Sequence, residues 1–576
     1  MNGKNLGYSE KKTGAHAVVE ALVSERVDIV FGLAGSHVLG IYDCLADTAI
    51  RLVSCKHEQN AAFMADMYGR LTGRPGIVIV TAGPGATNSI TGVAQAYGAA
   101  SPMLHISGTV DPDTPKEEFH GVDNPRFLWK MFRDITKWTV QIESVTEIPE
   151  MMARAFHIAT EGRPGPVHLD IPESLVNKIA QIPPYERKPP PRRQISESEI
   201  ETIAKSLLAA KNPVIVGGRG ILRAFASDKM AKLAELLNAI VLLSRSSISA
   251  FPHENSRFAG LLHHWHPNPL VEEVLETADT ILGLGLRVGT QTTNQLEEMA
   301  ASKDFHFIGY GDDTNQLQNS KTAIFADVNL VLSKLLAVLE SAERRPPVNH
   351  RFLQHIAQTN QLIQHERLKA LEPYESTSPL HFGLIVRALT ERLAENAIVT
   401  IDNGSHTVFT RSYLKIRSPW GYFSHDPWGT MGAAVPGAIA AKIMHPERQV
   451  IAITGDGSFL MSCNDAVATA VENDAHIKIF LANNQQYDMI RYMQTTQFGR
   501  TIGSEIPPID FAKFAESFGA TGLRLTHPSH LESIIDKALG LDAVVLVDVQ
   551  TAIGIEYPRS ATILERANWQ RYEAQR

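Results

Sequence analysis

Residues Val450 to Asn484 read VIAITGDGSFLMSCNDAVATAVENDAHIKIFLANN, and this segment carries the strongest signal of the chain's architecture. It holds two short β-branched runs, each bounded by turn residues, with a segment of helical length between them. This pattern predicts a βαβ unit. Both strands of such a unit end at the same edge of a parallel sheet, where ligands bind. We therefore expect Asp456, which follows the first strand, to lie near Asn484, which follows the second.

The residue types at these two strand ends suit a divalent cation and a phosphate group. Mg²⁺ prefers oxygen ligands, and Asp456 and Asn484 offer a carboxylate and an amide oxygen. The glycines of the GDGS turn let the backbone approach a phosphate, and the helix predicted to begin at Ser458 favours an anion. A GDG turn alone would indicate a tight turn after a strand. The Asn-Asn pair at the second strand end makes a magnesium–diphosphate site the better interpretation.

Composition bounds the class of protein. The chain has 576 residues, 44% of them hydrophobic and 20% charged, which predicts a soluble globular protein of about three domains. A net charge of -8 argues against nucleic acid or an anionic membrane as a partner. The three cysteines, Cys44, Cys55 and Cys463, form no CxxC pair, and no run of 18 apolar residues occurs. We expect a cytoplasmic enzyme with no disulfide framework.

Two proline-rich, charged stretches, 182–194 and 342–352, are expected to be linkers. Each of the three segments that these linkers delimit alternates apolar strand-like runs with helical patterns. This alternation predicts an α/β protein with three doubly wound domains and mainly parallel sheets. The predicted limits are an N-terminal domain at 1–182, a central domain at 195–342, a C-terminal domain at 370–556 and a tail at 557–576.

A second group of candidate residues lies in the N-terminal domain. Glu58 precedes an apolar helix, where a carboxylate alone would indicate a solvated helix start. The neighbouring His57-Glu58 pair does not continue as HExxH, because position 61 is alanine, so a zinc protease site is excluded. The segment TAGPGATN contains a glycine-rich turn, Pro84 to Asn88, that is a weak ligand-binding signal by itself.

Taken together, these segments identify a family. The chain resembles the thiamine-diphosphate-dependent enzymes of the acetohydroxyacid synthase, pyruvate oxidase and benzaldehyde lyase group. The resemblance covers nearly the whole chain and rests on several motifs in one order, namely VFGLAGSHVLGIYD, KHEQNAAFMADMYGRLTG, TAGPGATN, HDPWGTMGAAVPGAIAAK and GDGS followed by LANN.

The resemblance implies a pyrimidine-binding, a central and a diphosphate-binding domain, in that order. It implies that Mg²⁺ is held by Asp456, Asn484 and the backbone carbonyl of Gln486. The residues implied to bind thiamine diphosphate are Pro84, Asn88, Gly404, Ser405, His406, Gly429, Met431, Gly455, Asp456, Gly457, Ser458, Asn484, Gln486 and Met489.

Three of these positions carry specific implied roles. Glu58 would activate the coenzyme by a hydrogen bond to N1′ of the aminopyrimidine, and its apolar neighbours would shield it from water. Met431 would force the coenzyme into a bent shape, and the Gly429 carbonyl would accept from the 4′-amino group. Because the two coenzyme-binding domains come from different subunits in this family, a homodimer or homotetramer is implied.

Two histidines are candidates for the substrate pocket. His37 matches the active-site histidine of benzaldehyde lyase-like enzymes, and His120 falls where many relatives place a glutamine. Histidine suits proton transfer to a carbonyl oxygen because its pKa lies near neutral. Asp488, in place of the usual glycine, and Met493, in place of a tryptophan, depart from acetohydroxyacid synthases. These departures favour a different acceptor or a roomier pocket.

The central domain gives weaker signals. Its GGRGILRA and LGLGLRVGTQ segments have spacings that alone do not establish a dinucleotide site. FAD or ADP is not favoured there, because Asp312 is displaced by one position from the usual acidic residue; Arg287 would be the contact to test. The histidines in LLHHWHP, at 261–267, lack carboxylate or cysteine partners and are expected to form a loop rather than a metal site.

The leading hypothesis is a thiamine-diphosphate- and Mg²⁺-dependent lyase or carboligase, resembling acetolactate synthase or benzaldehyde lyase. Its substrate would be a small carbonyl compound, a 2-keto acid or a 2-hydroxy ketone. The alternative is a 2-keto acid or acyl-CoA decarboxylase or lyase, with Arg411 and Arg417 available for CoA phosphates. A catalytically silent nucleotide-binding relative is the hypothesis from a different class.

Overall fold

The structure is a computed structural model. It describes residues 11–111, 119–188, 195–262, 268–287, 302–310, 320–343, 347–425 and 428–554.

The chain divides into two compact units. The first comprises Met1–Arg192, Pro427–Pro446 and Leu460–His476, and the second comprises Arg193–Asp426, Glu447–Phe459 and Ile477–Arg576. In the described parts of these units lie three six-stranded sheets whose strands are all parallel. The prediction of an α/β protein with three parallel sheets is confirmed, whereas the predicted domain limits stay predictions.

The first unit is built on one sheet. Its strands are in the order Arg51–Ser54, Ile29–Gly32, Gly76–Val80, Met103–Thr109, Pro166–Pro172 and Trp138–Gln141. A short antiparallel pair, Lys11–Thr13 with Ile179–Gln181, accompanies it. The α-helices described in this unit are Gly14–Ser24, Leu39–Ala46, Glu58–Thr72, Pro84–Asn88, Ile90–Ala99, Phe127–Phe132, Ile148–Thr160, Glu173–Asn177, Ala434–Met444 and Ala466–Glu472.

The second unit holds two sheets. One has the order Phe258–Leu262, Ile240–Ser244, Pro213–Gly217, Thr280–Leu284, Asp304–Gly309 and Thr322–Phe325. The other has the order Tyr422–Ser424, Ile398–Ile401, Val450–Gly455, Lys478–Asn483, Val545–Gln550 and Thr521–Leu525. The α-helices described are Glu197–Ala209, Arg219–Arg223, Ser227–Leu237, Pro269–Thr277, Val328–Ser341, His350–Lys369, Phe382–Arg392, Ser405–Tyr413, Asp456–Ser458, Asp488–Phe498, Phe511–Glu516 and Leu531–Gly540.

Short 3₁₀ segments connect several of these elements, and one π-helical stretch interrupts the segment between the two strands of the opening βαβ unit. The 3₁₀ segments are Ser36–Val38, Arg133–Ile135, Val145–Glu147, Arg245–Ser247, Glu372–Tyr374 and Pro528–His530. The π-helix is Phe459–Cys463. The helix that follows the strand Val450–Gly455 begins at Asp456, two residues before the predicted start at Ser458.

The second predicted linker is shorter than the sequence suggested. The helix His350–Lys369 begins inside the stretch 342–352, because the side chain of Asn349 accepts a hydrogen bond from the Phe352 backbone nitrogen at 3.1 Å and caps the first turn. Buried aliphatic residues cover the sheets, as expected for strands packed on both faces. Among the residues that the structure describes, no helix is long and apolar enough to cross a membrane.

Strand order places a crevice beside the first strand of two sheets. In the first unit the chain leaves Ile29–Gly32 for one edge and then returns to Gly76–Val80 on the other side. In the C-terminal sheet it leaves Ile398–Ile401 and returns to Val450–Gly455 in the same way. The carboxyl ends of such neighbouring strands form the usual ligand-binding crevice of open α/β sheets.

Candidate coenzyme and metal site

Asp456 is the centre of a hydrogen-bonded cluster in the second unit. It lies at the carboxyl end of the strand Val450–Gly455 and is 3% exposed. Its Oδ2 accepts from the backbone nitrogens of Asn484, Gln485 and Gln486 at 3.0, 2.6 and 3.3 Å, and Oδ1 accepts from the nitrogen of Gly457 at 2.8 Å. The two strand ends therefore meet, as the sequence predicted.

Burial and hydrogen bonding act in opposite directions on this carboxyl group. Burial raises the pKa of Asp456 from 3.8 to about 6, and the backbone N–H groups that it accepts from limit the rise. A nearby cation would favour the ionised form, because it would compensate the loss of water around the charge.

The glycines around this carboxylate are required by close packing. A Cβ atom on Gly457 would lie 2.4 Å from Cε1 of Tyr487. A Cβ on Gly404, whose φ is +159°, would lie 2.6 Å from Cε1 of His406, and one on Gly455 would lie 3.1 Å from the same atom. Side chains at these positions would therefore collide with the rings of Tyr487 and His406.

The segment after the strand Ile398–Ile401 is tied to the same cluster. Asp402 Oδ2 accepts from the Thr454 hydroxyl at 2.7 Å, and the Ser458 hydroxyl donates to the Asn403 carbonyl at 3.3 Å. His406 is buried, which lowers its pKa from 6.5 to about 4, and its Nε2 lies 3.1 Å from the Asp402 carbonyl. His406 is therefore neutral, and its role in binding the coenzyme stays a prediction.

The donor set fits a hard divalent cation. Asp456 supplies a carboxylate, Asn484 an amide at the end of the next strand, and the buried Oε1 of Gln486 has no hydrogen-bond partner. Within the described part of the chain, no group of three or more His, Cys, Asp or Glu side chains could hold a metal ion. A site here would thus depend on amide, carbonyl and phosphate oxygens, which Mg²⁺ accepts.

Asp488, which the sequence marked as a departure from its relatives, contacts this cluster. The hydroxyl of Ser405 donates to Asp488 Oδ2 at 2.6 Å. Met489 follows in the same helix and is partly buried, and Met493, one turn further, is 41% exposed.

Glu58 is the centre of a separate cluster in the first unit. It is the first residue of the helix Glu58–Thr72 and is 7% exposed. The Nδ2 of Asn88 donates to Glu58 Oε2 at 2.9 Å, and a Cβ on Gly85 would lie 3.3 Å from Oε1. The predicted shielding of Glu58 from water is therefore present, and the turn Pro84–Asn88 adjoins it.

The two candidate histidines lie together at the crevice of the same sheet. The ring centroids of His37 and His120 are 5.1 Å apart. His37 is 3% exposed, and its Nδ1 lies 3.2 Å from Thr81 Oγ1. His120 has a φ of 61°, and its Nδ1 lies 3.0 Å from the Ala82 carbonyl.

Thr81 was not predicted from the sequence, although it contacts His37 and lies beside Gly85, the residue next to Glu58 Oε1. A Cβ on Gly85 would lie 2.8 Å from Thr81 Cγ2 as well as 3.3 Å from Glu58 Oε1. Phe119, also missed, is 62% exposed, and its ring centroid lies 4.0 Å from that of His120. Thr81 begins the quoted TAGPGATN segment, but nothing in its residue type distinguished it.

The segment with Gly429 and Met431 belongs to the first unit. Gly429 has a φ of 77°, and Met431 is partly buried. Between them Thr430 donates from its hydroxyl to Gln95 Oε1 at 2.6 Å, which fixes this turn.

Several predicted features fall outside the described residues, namely Asp312, histidines 263, 264 and 266, and the tail at 557–576. Arg287 is described and exposed, but its neighbours at 288–301 are not described.

Comparison with known proteins gives three family matches along the chain. Residues 12–125 match "Thiamine pyrophosphate enzyme, N-terminal TPP binding domain", residues 200–335 match the central domain, and residues 402–549 match the C-terminal TPP binding domain.

Similar proteins include acetolactate synthases that match along nearly their full length. The large subunit of the Haemophilus influenzae acetolactate synthase is 32% identical over 94% of this chain and 94% of its own. The isozyme 3 large subunit of Escherichia coli is 31% identical over 95% and 96%, and the Bacillus subtilis enzyme is 29% identical over 94% and 93%.

These matches confirm the resemblance that the motifs predicted, and they do not favour the acyl-CoA alternative. The chain belongs to the thiamine pyrophosphate enzyme family and is a thiamine-diphosphate-dependent enzyme that forms or cleaves a carbon–carbon bond next to a carbonyl group.

Proposed function

We propose that the chain is a Mg²⁺-assisted carboligase that takes a 2-keto acid as donor and joins it to a second carbonyl compound. Its relatives' names describe the synthesis of acetolactate, so pyruvate is the first donor to test. When bound, thiamine diphosphate supplies a carbon nucleophile for the substrate carbonyl. The protein's own residues must then hold the metal, activate the coenzyme and manage protons on the substrate.

Asp456, Asn484 and the backbone carbonyl of Gln486 would hold Mg²⁺. The support is the meeting of the two strand ends at Asp456, whose carboxylate is fixed by four backbone N–H groups. A carboxylate held in this way needs little rearrangement when the metal arrives. The glycines at 404, 455 and 457 would let the backbone approach the diphosphate closely.

The observation that carries the proposal is the setting of Glu58. One carboxylate oxygen is held by Asn88, and the other lies beside Gly85, where even a methyl group would approach it to 3.3 Å. In this buried carboxylate, Asn88 holds one oxygen and the other lies beside a glycine, which has no side chain. Such a group is suited to share a proton with a ring nitrogen of the coenzyme. Met431 and the Gly429 carbonyl would orient the aminopyrimidine.

His37 and His120 would exchange protons with the oxygen of the substrate carbonyl. Their rings are neighbours, and both adjoin the turn that reaches Glu58. The exposed Phe119 would add an apolar wall beside His120. Met493, flexible and partly exposed, would leave a roomier acceptor site than the tryptophan of the resembled synthases.

The resemblance further supports a homodimer or a dimer of dimers in which each coenzyme contacts two subunits. Sedimentation over a range of dilutions tests this. Coenzyme-dependent activity in a strictly monomeric chain would contradict it.

The function is tested by titrating the protein with thiamine diphosphate and Mg²⁺ in a calorimeter and by identifying the products formed from pyruvate, alone and with an added aldehyde. We expect saturable binding that requires both ligands and the release of CO₂ with a new carbon–carbon bond. Absence of coenzyme binding in the wild type would contradict the proposal.

A matched pair of variants tests the role of Glu58. Glu58→Gln is expected to retain coenzyme binding but to lower exchange of the thiazolium C2 proton by at least ~100-fold, because glutamine cannot share that proton. Glu150→Gln makes the same change at an exposed position and should leave exchange unaltered. Exchange at the wild-type rate in Glu58→Gln would remove Glu58 from the mechanism.

A further inference from the structure

Two neighbouring strands of the first unit carry buried polar side chains that face one another. In the parallel pair Met103–Thr109 and Pro166–Pro172, His105 lies opposite His168 and Ser107 lies opposite Asp170. All four side chains are at most 1% exposed. Buried polar groups of this kind are costly unless they are paired with one another.

These side chains form a continuous series of short contacts. His105 Nδ1 and His168 Nδ1 are 2.8 Å apart, and His168 Nε2 lies 2.9 Å from Asp170 Oδ1. The Ser107 hydroxyl donates to the same Asp170 oxygen at 2.7 Å. At the other end, His105 Nε2 lies 2.7 Å from the hydroxyl oxygen of Ser89.

The positions of the protons follow from the ends of this series. The Ser89 hydroxyl donates its hydrogen to the Ala86 carbonyl at 2.6 Å, so it must accept from His105 Nε2–H. Burial and the neighbouring His168 lower the pKa of His105 well below 6.5, which makes this ring neutral. Its Nδ1 is therefore an acceptor, and His168 Nδ1–H is the donor.

The other side of the His168 ring faces a carboxylate. Its Nε2 lies 2.9 Å from Asp170 Oδ1, although this contact departs from the direction of an ideal hydrogen bond. The ring of Phe132 stacks on His168 with centroids 4.0 Å apart and separates the pair from water.

The series ends next to the residue that holds Glu58. Ser89 follows Asn88 directly, and its bond to Ala86 closes the turn Pro84–Asn88 from which Asn88 reaches Glu58 Oε2. We propose that Asp170, His168 and His105 act through Ser89 as positioning residues that fix Asn88, and hence Glu58, for coenzyme activation. This inference rests on the proposed role of Glu58.

The same geometry argues against transfer of a proton to the coenzyme. Ser89 passes its hydrogen to a backbone carbonyl, which cannot relay a proton onward to Glu58. The proposed role of these residues is therefore to orient the turn Pro84–Asn88. None of Asp170, His168, His105 and Ser89 is a catalytic residue.

The test compares two substitutions of His105 that differ in whether the new side chain reaches the position of Nε2. The amide nitrogen of His105→Gln falls near the position of Nε2 and can still donate to Ser89, whereas the shorter side chain of His105→Asn cannot reach Ser89. With Mg²⁺ and thiamine diphosphate bound, His105→Asn and Ser89→Ala should lower C2-proton exchange by about tenfold, the loss expected for one misplaced hydrogen bond. His105→Gln should stay within about threefold of the wild type.

Coenzyme affinity and the urea midpoint of unfolding are measured for every variant. Equal losses of exchange in His105→Gln and His105→Asn that follow the urea midpoint would overturn the proposal, because they would indicate stability alone. In an Asn88→Ala background, His105→Asn should cause no further loss of exchange, since both act through one hydrogen bond. A full additional loss would also overturn it.

A readout without coenzyme tests the direction of these hydrogen bonds. Ring-nitrogen NMR of the histidine-labelled protein, assigned through the His105 and His168 variants, should show a neutral His105 ring with its proton on Nε2. A His105 proton on Nδ1 would overturn the assignment. A wild type that binds coenzyme but does not exchange the C2 proton would contradict the proposed function instead, and these spectra would still decide the tautomer of His105.

Discussion

The hydroxyl of Ser405 donates a hydrogen bond to Asp488 Oδ2 over 2.6 Å. The bond joins the first residue of the helix Ser405–Tyr413 to the first residue of the helix Asp488–Phe498. The second oxygen of Asp488 is buried without a hydrogen-bond partner. A carboxylate that departs from the resembled enzymes is thus held between two segments assigned to diphosphate and metal binding.

Removing the Ser405 hydroxyl alone should therefore lower the free energy of unfolding more than removing both partners of the bond. Ser405→Ala leaves the partly buried carboxylate of Asp488 without this donor and is expected to lower the free energy of unfolding by about 1–3 kcal/mol. The double variant Ser405→Ala/Asp488→Ala should recover most of that loss, because the unpaired carboxylate is removed as well. Urea unfolding of the coenzyme-free protein measures both.

Ser412→Ala is the control for this pair. Its hydroxyl donates only locally, to the Val408 carbonyl at 2.9 Å in the same helix, so we expect a change within about 0.5 kcal/mol. Strictly additive effects of Ser405→Ala and Asp488→Ala would show that the bond does not couple the two helices.

A second prediction concerns the space beside Asp456. Gly457→Ala would place a methyl group 2.4 Å from the Tyr487 ring, and the required shift of the ring should weaken coenzyme binding by about tenfold or more, equivalent to an overpacking cost of about 1–3 kcal/mol. Gly540→Ala is the matched control, because nothing lies within 4 Å of its added methyl group. Calorimetric affinity for thiamine diphosphate distinguishes the two; equal affinities would show that the ring yields freely.

The fold was accessible from the sequence because its strands are short, buried and β-branched, and because turn residues mark their ends. The predicted meeting of Asp456 with Asn484 followed from the parallel βαβ rule alone. The start of the helix at His350 was not predicted, because the capping effect of Asn349 depends on a single side-chain contact within a proline-rich stretch.

The site was predicted less completely. Motifs identified Glu58 and Asn88, and the structure shows them hydrogen-bonded. Thr81 and the His105–His168 pair were missed, because their importance arises from cross-strand neighbours that are far apart in sequence. Residue type alone did not distinguish these three residues from others of the same kind.

A third prediction follows from the pKa of Asp456, which burial raises to about 6. Between the unfolded value of 3.8 and about 6, the folded state binds more protons than the unfolded state, so stability falls as pH rises through this window. The difference in unfolding free energy between wild type and Asp456→Asn should accordingly change by about 2 kcal/mol from pH 4 to pH 7. Urea unfolding without metal measures it.

Metal binding should show the opposite dependence. Mg²⁺ requires the ionised carboxylate, so its apparent affinity with coenzyme present should fall about tenfold per pH unit below 6 and level off above it. Calorimetry between pH 5 and pH 8 tests this. An affinity that stays constant across that range would show that Asp456 is already ionised at pH 5 or does not ligate the metal.

The final prediction separates coenzyme activation from proton transfer at the substrate. His120 lies beside His37, and its Nδ1 contacts the Ala82 carbonyl and takes no part in the hydrogen bond between Asn88 and Glu58. His120→Ala should therefore leave C2-proton exchange within about twofold of wild type while lowering kcat with pyruvate by about 100-fold. His530→Ala, at an exposed position, should change neither quantity. Exchange and steady-state turnover are measured on the same preparations. If exchange and turnover fall together in His120→Ala, the histidine supports the turn around Glu58 instead of the substrate carbonyl, because loss of coenzyme activation would limit both rates equally.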